Sequence, residues 1–331
     1  MTHRRVLVAG GGAWGTALGA HLASVGHDVR LWLRDPAAAR AINAERRHER
    51  YLPGLELPAG LSASADLAAS ADGATAAFVA VPSEFARPVY RELALLLPEG
   101  AALVSTTKGL ELDTLLRMSE VASAEAPGRP LAVLSGPSFA AEVVQRQPTA
   151  VVVASADPAV AEEVQRLVSS PVFRAYSSTD VVGVELGGAL KNVIAIAAGI
   201  VDGLGYGHNT VAALVTRGLA EITRLAVALG GRADTLAGLA GLGDLLLTCT
   251  GGLSRNRRLG QALGAGRTLA QAVAETRQVA EGLRTTQAAC VLAERAATTL
   301  PIGEAMRAVL YGGKAPRAAV DELMLRSLKR E

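Results

Sequence analysis

Cysteine is scarce in this chain of 331 residues: Cys249 and Cys290 are the only two, far apart, without CxxC spacing or neighbouring histidines. A disulfide framework and a structural zinc site are thereby excluded, and a reducing cytoplasm fits best. Histidine is hardly commoner. His3, His21, His27, His48 and His208 form no ligand pair at i, i+4, so no metal is expected and each reads as a surface or loop residue. Aromatic residues make up 3% of the chain, and 33 basic residues nearly balance 31 acidic ones. Neither a stacking platform nor a basic stripe is present, which argues against nucleic acid as a partner. Long apolar runs are missing too. The longest, residues 193–201, falls far short of the ~20 residues that span a bilayer. The opening Met1-Thr2-His3-Arg4-Arg5 leads straight into a strand-like segment, so neither a membrane span nor a secretory signal is expected.

Lysine is the most telling shortage. Only Lys108, Lys191, Lys314 and Lys329 interrupt a general use of arginine. Arginine stays charged, whereas a partly buried ammonium can exchange a proton near neutral pH. Lys314 and Lys329 lie in a polar stretch where solvation explains them. Lys108 and Lys191 do not.

What is abundant is apolar and small. Half the residues are hydrophobic and 35 glycines are dispersed along the chain, as in a folded chain long enough for two domains. Strand-like runs at 5–9, 29–33, 76–81, 101–105, 131–134, 150–154 and 172–176 alternate with helical patterns at 15–25, 85–97, 115–124 and 159–168. This alternation predicts βαβ units on a mostly parallel sheet. From Thr179 the strand pattern stops. Residues 181–201 are apolar or small on nearly every face, as in a helix buried within a domain. The expected organisation is an α/β domain over 1–178 followed by an all-α domain over 179–331.

The first strand runs into Gly10-Gly11-Gly12-Ala13-Trp14-Gly15, a GxGxxG between strand and helix. Gly10 permits the tight turn, Gly12 lets the backbone approach a pyrophosphate, and Gly15 allows close helix packing. The phosphate sits on the helix N-terminus. These are the marks of a Rossmann-type, doubly wound sheet. The second strand ends in Leu33-Arg34-Asp35. Arg34 suits the 2′-phosphate of NADP and Asp35 the ribose hydroxyl of NAD, so either cofactor is expected, with NADPH accepted; the alternative is a solvated Arg34. No GxxxxGK[ST] of a triphosphate loop follows the first strand.

Ligands of such sheets gather beyond the carboxyl ends of the strands. There stand Thr106-Thr107-Lys108-Gly109 and Ser135-Gly136-Pro137-Ser138. In the helical part, Lys191 shares a face with Val184, Gly187, Gly188, Ala195 and Ala198. Either it faces a ligand-lined space, where desolvation lowers its pKa, or it snorkels to the surface. Asp244 is a lone carboxylate within residues 239–247, an apolar segment, and a buried Asp needs a partner such as a lysine or ligand hydroxyl. Ser254 reads as a helix N-cap followed by Arg255, Arg257 and Arg258, which oppose the helix dipole unless an anion sits there or they splay into solvent.

With residues 10–17, 106–109, 135–140, 190–194, 241–245, 254–258 and 279–282 taken together, the chain resembles the NAD(P)-dependent glycerol-3-phosphate dehydrogenases over nearly its full length. The resemblance implies reversible hydride transfer between the nicotinamide and C2 of the substrate. Dihydroxyacetone phosphate and sn-glycerol 3-phosphate are interconverted, supplying the latter for phospholipid synthesis. It implies Lys191 as general acid and base, oriented by Asp244, with Lys108 between cofactor and substrate. Gly136, Ser138, Ser254, Arg255 and Asn256 would bind substrate, with Arg255 on its phosphate. Gly10, Gly12, Ala13, Trp14, Gly15, Arg34, Tyr51, Lys108, Ala140, Arg255, Val279 and Glu281 would line the cofactor. Ala13 departs from the serine that relatives often carry, which removes one possible side-chain bond to phosphate. A homodimer is implied. Competing readings are a hydroxy-acid dehydrogenase of the same plan, of ketopantoate or 6-phosphogluconate type, and a redox sensor that reads NAD(P)H without turnover.

Overall fold

The computed structural model describes residues 3–276 and 280–327. Two compact units divide the chain, one drawn from the residues up to Glu111 with Leu116–Val184, the other from Leu112–Leu115 with the residues from Glu185 onward. The first unit carries ten strands: β1 (Arg5–Ala9), β2 (Asp28–Trp32), β3 (Arg47–His48), β4 (Leu52–Glu56), β5 (Leu61–Ser64), β6 (Ala76–Val79), β7 (Ala102–Ser105), β8 (Leu131–Ser135), β9 (Thr149–Ala154) and β10 (Phe173–Ser178). Eight of them form one sheet in the order β10-β9-β8-β7-β6-β1-β2-β5, and β3 with β4 makes a separate antiparallel hairpin. Every pairing in the large sheet is parallel except β8 with β9. Its helices are α1 (Ala13–Ser24), α2 (Pro36–Glu45), α3 (Leu67–Ala71), α4 (Ala86–Leu96), α5 (Met118–Glu125), α6 (Ala140–Val144) and α7 (Pro158–Val168).

The apolar runs Val6-Leu7-Val8-Ala9 and Ala76-Ala77-Phe78-Val79 are buried throughout because helices cover both faces of the sheet. Their alternate residues serve different cores. Val6, Val8 and Phe78 pack with Ala17 and Leu18 of α1, while Leu7, Ala9, Ala77 and Val79 pack with Val89, Tyr90 and Leu93 of α4. The expected α/β class is what the sheet shows.

The strand β5 and the β3–β4 hairpin escape the sequence pattern for physical reasons. Leu61-Ser62-Ala63-Ser64 is an edge strand of small residues, held by β2 on one side only. Helix α2, absent from the sequence pattern, opens with Asp35-Pro36, a cap and first-turn proline like Asp157-Pro158 of α7. Asp35 accepts from the Ala37 and Ala38 amides at 2.9 and 3.3 Å, so its carboxylate is a helix cap. Three histidines also correct the surface reading: His21, His27 and His48 are buried. Each ring meets a backbone carbonyl, of Val168, Leu167 and Gly11 respectively, and His21 stacks on Phe173 at 4.4 Å.

Beyond β10 the chain is helical: α8 (Val181–Gly203), α9 (His208–Ala228), α10 (Ala233–Ala237), α11 (Asp244–Thr250), α12 (Arg255–Gly264), α13 (Leu269–Thr276), α14 (Glu281–Arg295), α15 (Pro301–Tyr311) and α16 (Pro316–Met324). Among the described residues α8 is the one helix whose length and composition would let it cross a membrane, yet its most apolar stretch is wholly buried inside the protein. It packs backbone to backbone on α12. A Cβ added at Gly199 would lie 2.0 Å from the Arg257 carbonyl, and one at Gly260 2.0 Å from that of Ile196.

Candidate functional site

In the first unit the site is made of backbone. Gly10 lies at φ +130°, and its amide donates to the Trp32 carbonyl at 2.9 Å, which ties the turn to the end of β2. A Cβ at Gly15 would fall 1.9 Å from the Gly10 carbonyl, so only glycine lets α1 start against the turn. Gly12 is the N-cap of α1 and provides no side-chain cap for its first amides, and the direction of its missing Cβ is open space. Free amides at an unobstructed helix N-terminus fit a pyrophosphate. Ala13 and Trp14 open α1, and the indole Nε1 of Trp14 is buried without a hydrogen-bond partner.

Around this turn stand further expected residues. Arg34 is exposed, with its guanidinium 4.7 Å over the Phe85 ring. Tyr51 is half-buried, edge-on to His48 at 5.0 Å, with the Arg50 guanidinium 5.2 Å over its ring. Lys108 donates to the Gly136 carbonyl at 2.9 Å, and the Ser138 hydroxyl donates to the same oxygen at 3.0 Å. The loops after β7 and β8 are thus joined at the carboxyl ends of their strands. Gly136 takes φ +136° with Val151 directly behind it, and Ala140 begins α6.

In the second unit the site is made of side chains. Lys191 lies mid-way along α8 with 6% exposure, which overturns the snorkelling alternative. Its Nζ donates to the Asp244 carboxylate and, at 2.9 Å, to the Thr248 hydroxyl, which in turn donates to the Asp244 carbonyl at 2.6 Å. Asp244, 1% exposed, has the lysine partner its burial demands. Burial alone disfavours the ammonium, and the touching carboxylate favours it. A five-residue π turn, Leu239–Gly243, leads into α11 and sets Asp244 at its first residue. Gly187, one helical turn before Lys191, admits the Ala240 carbonyl of that π turn, where a Cβ would meet it at 2.5 Å. Thr248 was not anticipated. Its spacing of four from Asp244 on one helix is the signal that could have revealed it.

Ser254 caps α12 by accepting from the Arg257 amide at 3.2 Å. The three arginines separate. Arg257 pairs with Asp202 at 3.1 Å, while Arg255 and Arg258 are exposed, and Arg255 has no ion-pair partner among the described residues. Asn256 points inward: it donates to the Asn192 side chain at 2.9 Å and accepts from the Gly282 amide at 3.1 Å. The residue beside Lys191, the residue beside Arg255 and the residue beside Glu281 are therefore joined by one buried amide chain. Glu281 begins α14, and Val279 lies outside the described residues. Cys249 follows Thr248, but burial pushes its thiol up to about 12, which leaves it protonated and inert as a nucleophile.

The chemistry available is that of a buried ammonium held by a carboxylate and a hydroxyl, with an exposed guanidinium at a helix start and a separate glycine turn suited to a dinucleotide. Comparison with known proteins agrees. Residues 5–161 match the N-terminal and residues 180–321 the C-terminal family model of NAD-dependent glycerol-3-phosphate dehydrogenase. A protein of Geobacter sulfurreducens named glycerol-3-phosphate dehydrogenase (NAD(P)+) is 52% identical, the match covering 99% of this chain and 98% of that one. The crystal structure of a glycerol-3-phosphate dehydrogenase from Coxiella burnetii superposes with TM-score 0.94 at 40% identity, covering 98% and 99% of the two chains. A ketopantoate reductase from Ralstonia eutropha shares the fold alone, with TM-score 0.59, 16% identity and coverage of 96% and 99%.

Proposed function

The chain belongs to the NAD-dependent glycerol-3-phosphate dehydrogenase family, and from that premise we propose how its residues interconvert dihydroxyacetone phosphate and sn-glycerol 3-phosphate with NAD or NADP. The observation that carries the reading is the buried contact of Lys191 with Asp244 and Thr248. When bound, the nicotinamide supplies the hydride for carbonyl reduction at C2 and takes it back in the reverse direction. Reduction builds negative charge on the C2 oxygen. The Lys191 ammonium stabilises that charge and gives up a proton to it; in oxidation the neutral amine takes the proton from the C2 hydroxyl. Asp244 and Thr248 fix the Nζ, and Asp244 favours its charged form.

Arg255 binds the substrate phosphate, assisted by Ser254 and Asn256; its exposure without a counter-ion among the described residues supports this. Gly136 and Ser138 border the substrate, and Lys108 stands between substrate and cofactor. Gly10, Gly12, Ala13, Trp14 and Gly15 hold the pyrophosphate end of the dinucleotide, with Arg34, Tyr51, Ala140, Val279 and Glu281 along the rest. Arg34 beside the Phe85 face suits a 2′-phosphate, so NADPH is accepted. Residues 1–178 serve the nucleotide and 179–331 the substrate chemistry. The enzyme works as a homodimer in the cytoplasm, and its glycerol 3-phosphate feeds phospholipid synthesis.

The test is the loss of NADPH absorbance on adding dihydroxyacetone phosphate, repeated with NADH. Turnover dependent on the triose phosphate is expected. Turnover with ketopantoate but not with the triose phosphate, or binding of NADPH with no turnover, would overturn the reading.

A further inference from the structure

We propose that His48 is a positioning residue for the dinucleotide, aiming the Gly12 amide into the phosphate cradle through the Gly11 carbonyl. His48 is 5% exposed, and its Nε2 lies 2.9 Å from the Gly11 carbonyl oxygen. A carbonyl only accepts, so Nε2 carries the proton. Burial lowers the pKa of this imidazole, against the pull of the Gly11 bond, which keeps the ring neutral near pH 7.

The Gly11 carbonyl and the Gly12 N–H belong to one planar trans peptide, so the two groups point in opposite directions. Pulling the carbonyl toward His48 therefore turns the Gly12 amide away from it. Gly12 caps α1, and the direction of its missing Cβ is open, which leaves room for a phosphate to approach the helix start. Glycine has little conformational preference of its own, so the Gly10-Gly11-Gly12 turn needs an external restraint to hold one peptide orientation. His48 supplies that restraint from the β3–β4 hairpin. The same ring sets Tyr51, whose amide donates to the His48 carbonyl at 3.1 Å and whose ring packs edge-on against the imidazole. One buried histidine thus couples the glycine turn to the hairpin that carries Tyr51. Its two neighbours in kind, His21 and His27, bind carbonyls at the end of α7 and leave the turn alone.

This inference rests on the nucleotide turn proposed above but not on the identity of the substrate. The test is the NADPH dissociation constant, read from nicotinamide fluorescence, for the full chain, His48→Leu, His48→Phe and His48→Gln. His48→Phe keeps the ring against Tyr51 and loses the donor; His48→Gln keeps an N–H donor of similar reach. Either apolar variant that retains the wild-type Tm is expected to bind NADPH about tenfold more weakly, the worth of one hydrogen bond. His48→Gln is expected to stay within about twofold of wild type, and the KM for dihydroxyacetone phosphate to stay unmoved in all three. Unchanged affinity in a folded apolar variant overturns the proposal. So does an equal loss in His48→Gln, which would assign the effect to packing of the ring. Failure of the wild type to bind NADPH would instead remove the nucleotide reading itself, and absence of turnover with the triose phosphate would leave this series intact.

Discussion

In the glycine turn the working groups are backbone amides fixed within a few consecutive residues, whereas at Lys191 they are side chains gathered across 53 and 57 positions of the chain. The turn needs glycine where a Cβ would strike backbone, as at Gly15 against the Gly10 carbonyl. The lysine centre needs a largely buried ammonium, a partner carboxylate and helices that touch through glycine. Each half fails in its own way. Damage to the turn is expected to appear in cofactor affinity, and damage to the lysine centre in kcat.

Five substitutions would sharpen or break that contrast. The largest effect belongs to Lys191→Ala, which removes the proton donor: kcat should fall by at least ~10²–10⁴ while NADPH affinity stays close to wild type. Parallel losses of both would merge the two halves. Next, Gly15→Ala must displace the turn, because its Cβ would strike the Gly10 carbonyl, so NADPH affinity should fall while kcat is recovered at saturating NADPH. Arg255→Ala should raise the KM for dihydroxyacetone phosphate by about ten- to a hundredfold, the worth of a charge-assisted hydrogen bond of ~1.5–3 kcal/mol. An unchanged KM would place the phosphate elsewhere.

The fourth prediction concerns stability within the helical unit. Both oxygens of Glu221 on α9 accept from the Ile302 amide at the start of α15, at 2.9 and 3.0 Å. Even so, burial pushes its carboxyl up to about 7 from 4.5. The folded chain therefore holds this proton more tightly than the unfolded chain. That contribution is full below pH 4.5 and is lost as pH rises through about 7. Glu221→Gln should flatten this dependence, so that the Tm advantage of wild type over the variant shrinks between those limits, by roughly 2–4 °C for each kcal/mol involved. A constant difference across the window would show that the carboxyl titrates normally. The smallest effect is that of Asp35→Ala. Loss of an N-cap costs about 0.5–2 kcal/mol, measured by urea unfolding, with NADH and NADPH affinities unmoved relative to one another. A selective loss of NADH would return Asp35 to the ribose.

Legibility followed the same division. The β1 strand, the glycine turn and α1 could be read in order because one stretch of sequence holds every group concerned, and Asp244 could be expected to meet a lysine because an isolated buried carboxylate is costly. Thr248 and Asn192 escaped because their roles arise only once α8, α11 and α12 pack: each is an ordinary helical residue until its neighbour arrives. His48 escaped for a related reason. No local pattern announces that a ring on a two-residue strand will reach back 37 positions to a glycine carbonyl. The strand β5 was hidden by its small, polar composition, and α2 by a cap that also resembled a ribose ligand.

The most direct measurement of the central claim is rescue of Lys191→Ala by small primary amines. With NADPH and dihydroxyacetone phosphate present, added alkylamine should restore turnover in a saturable manner and leave the wild type unaffected. Wild-type turnover in Lys191→Ala without any amine would contradict the account, since the proton would then reach the C2 oxygen from another donor.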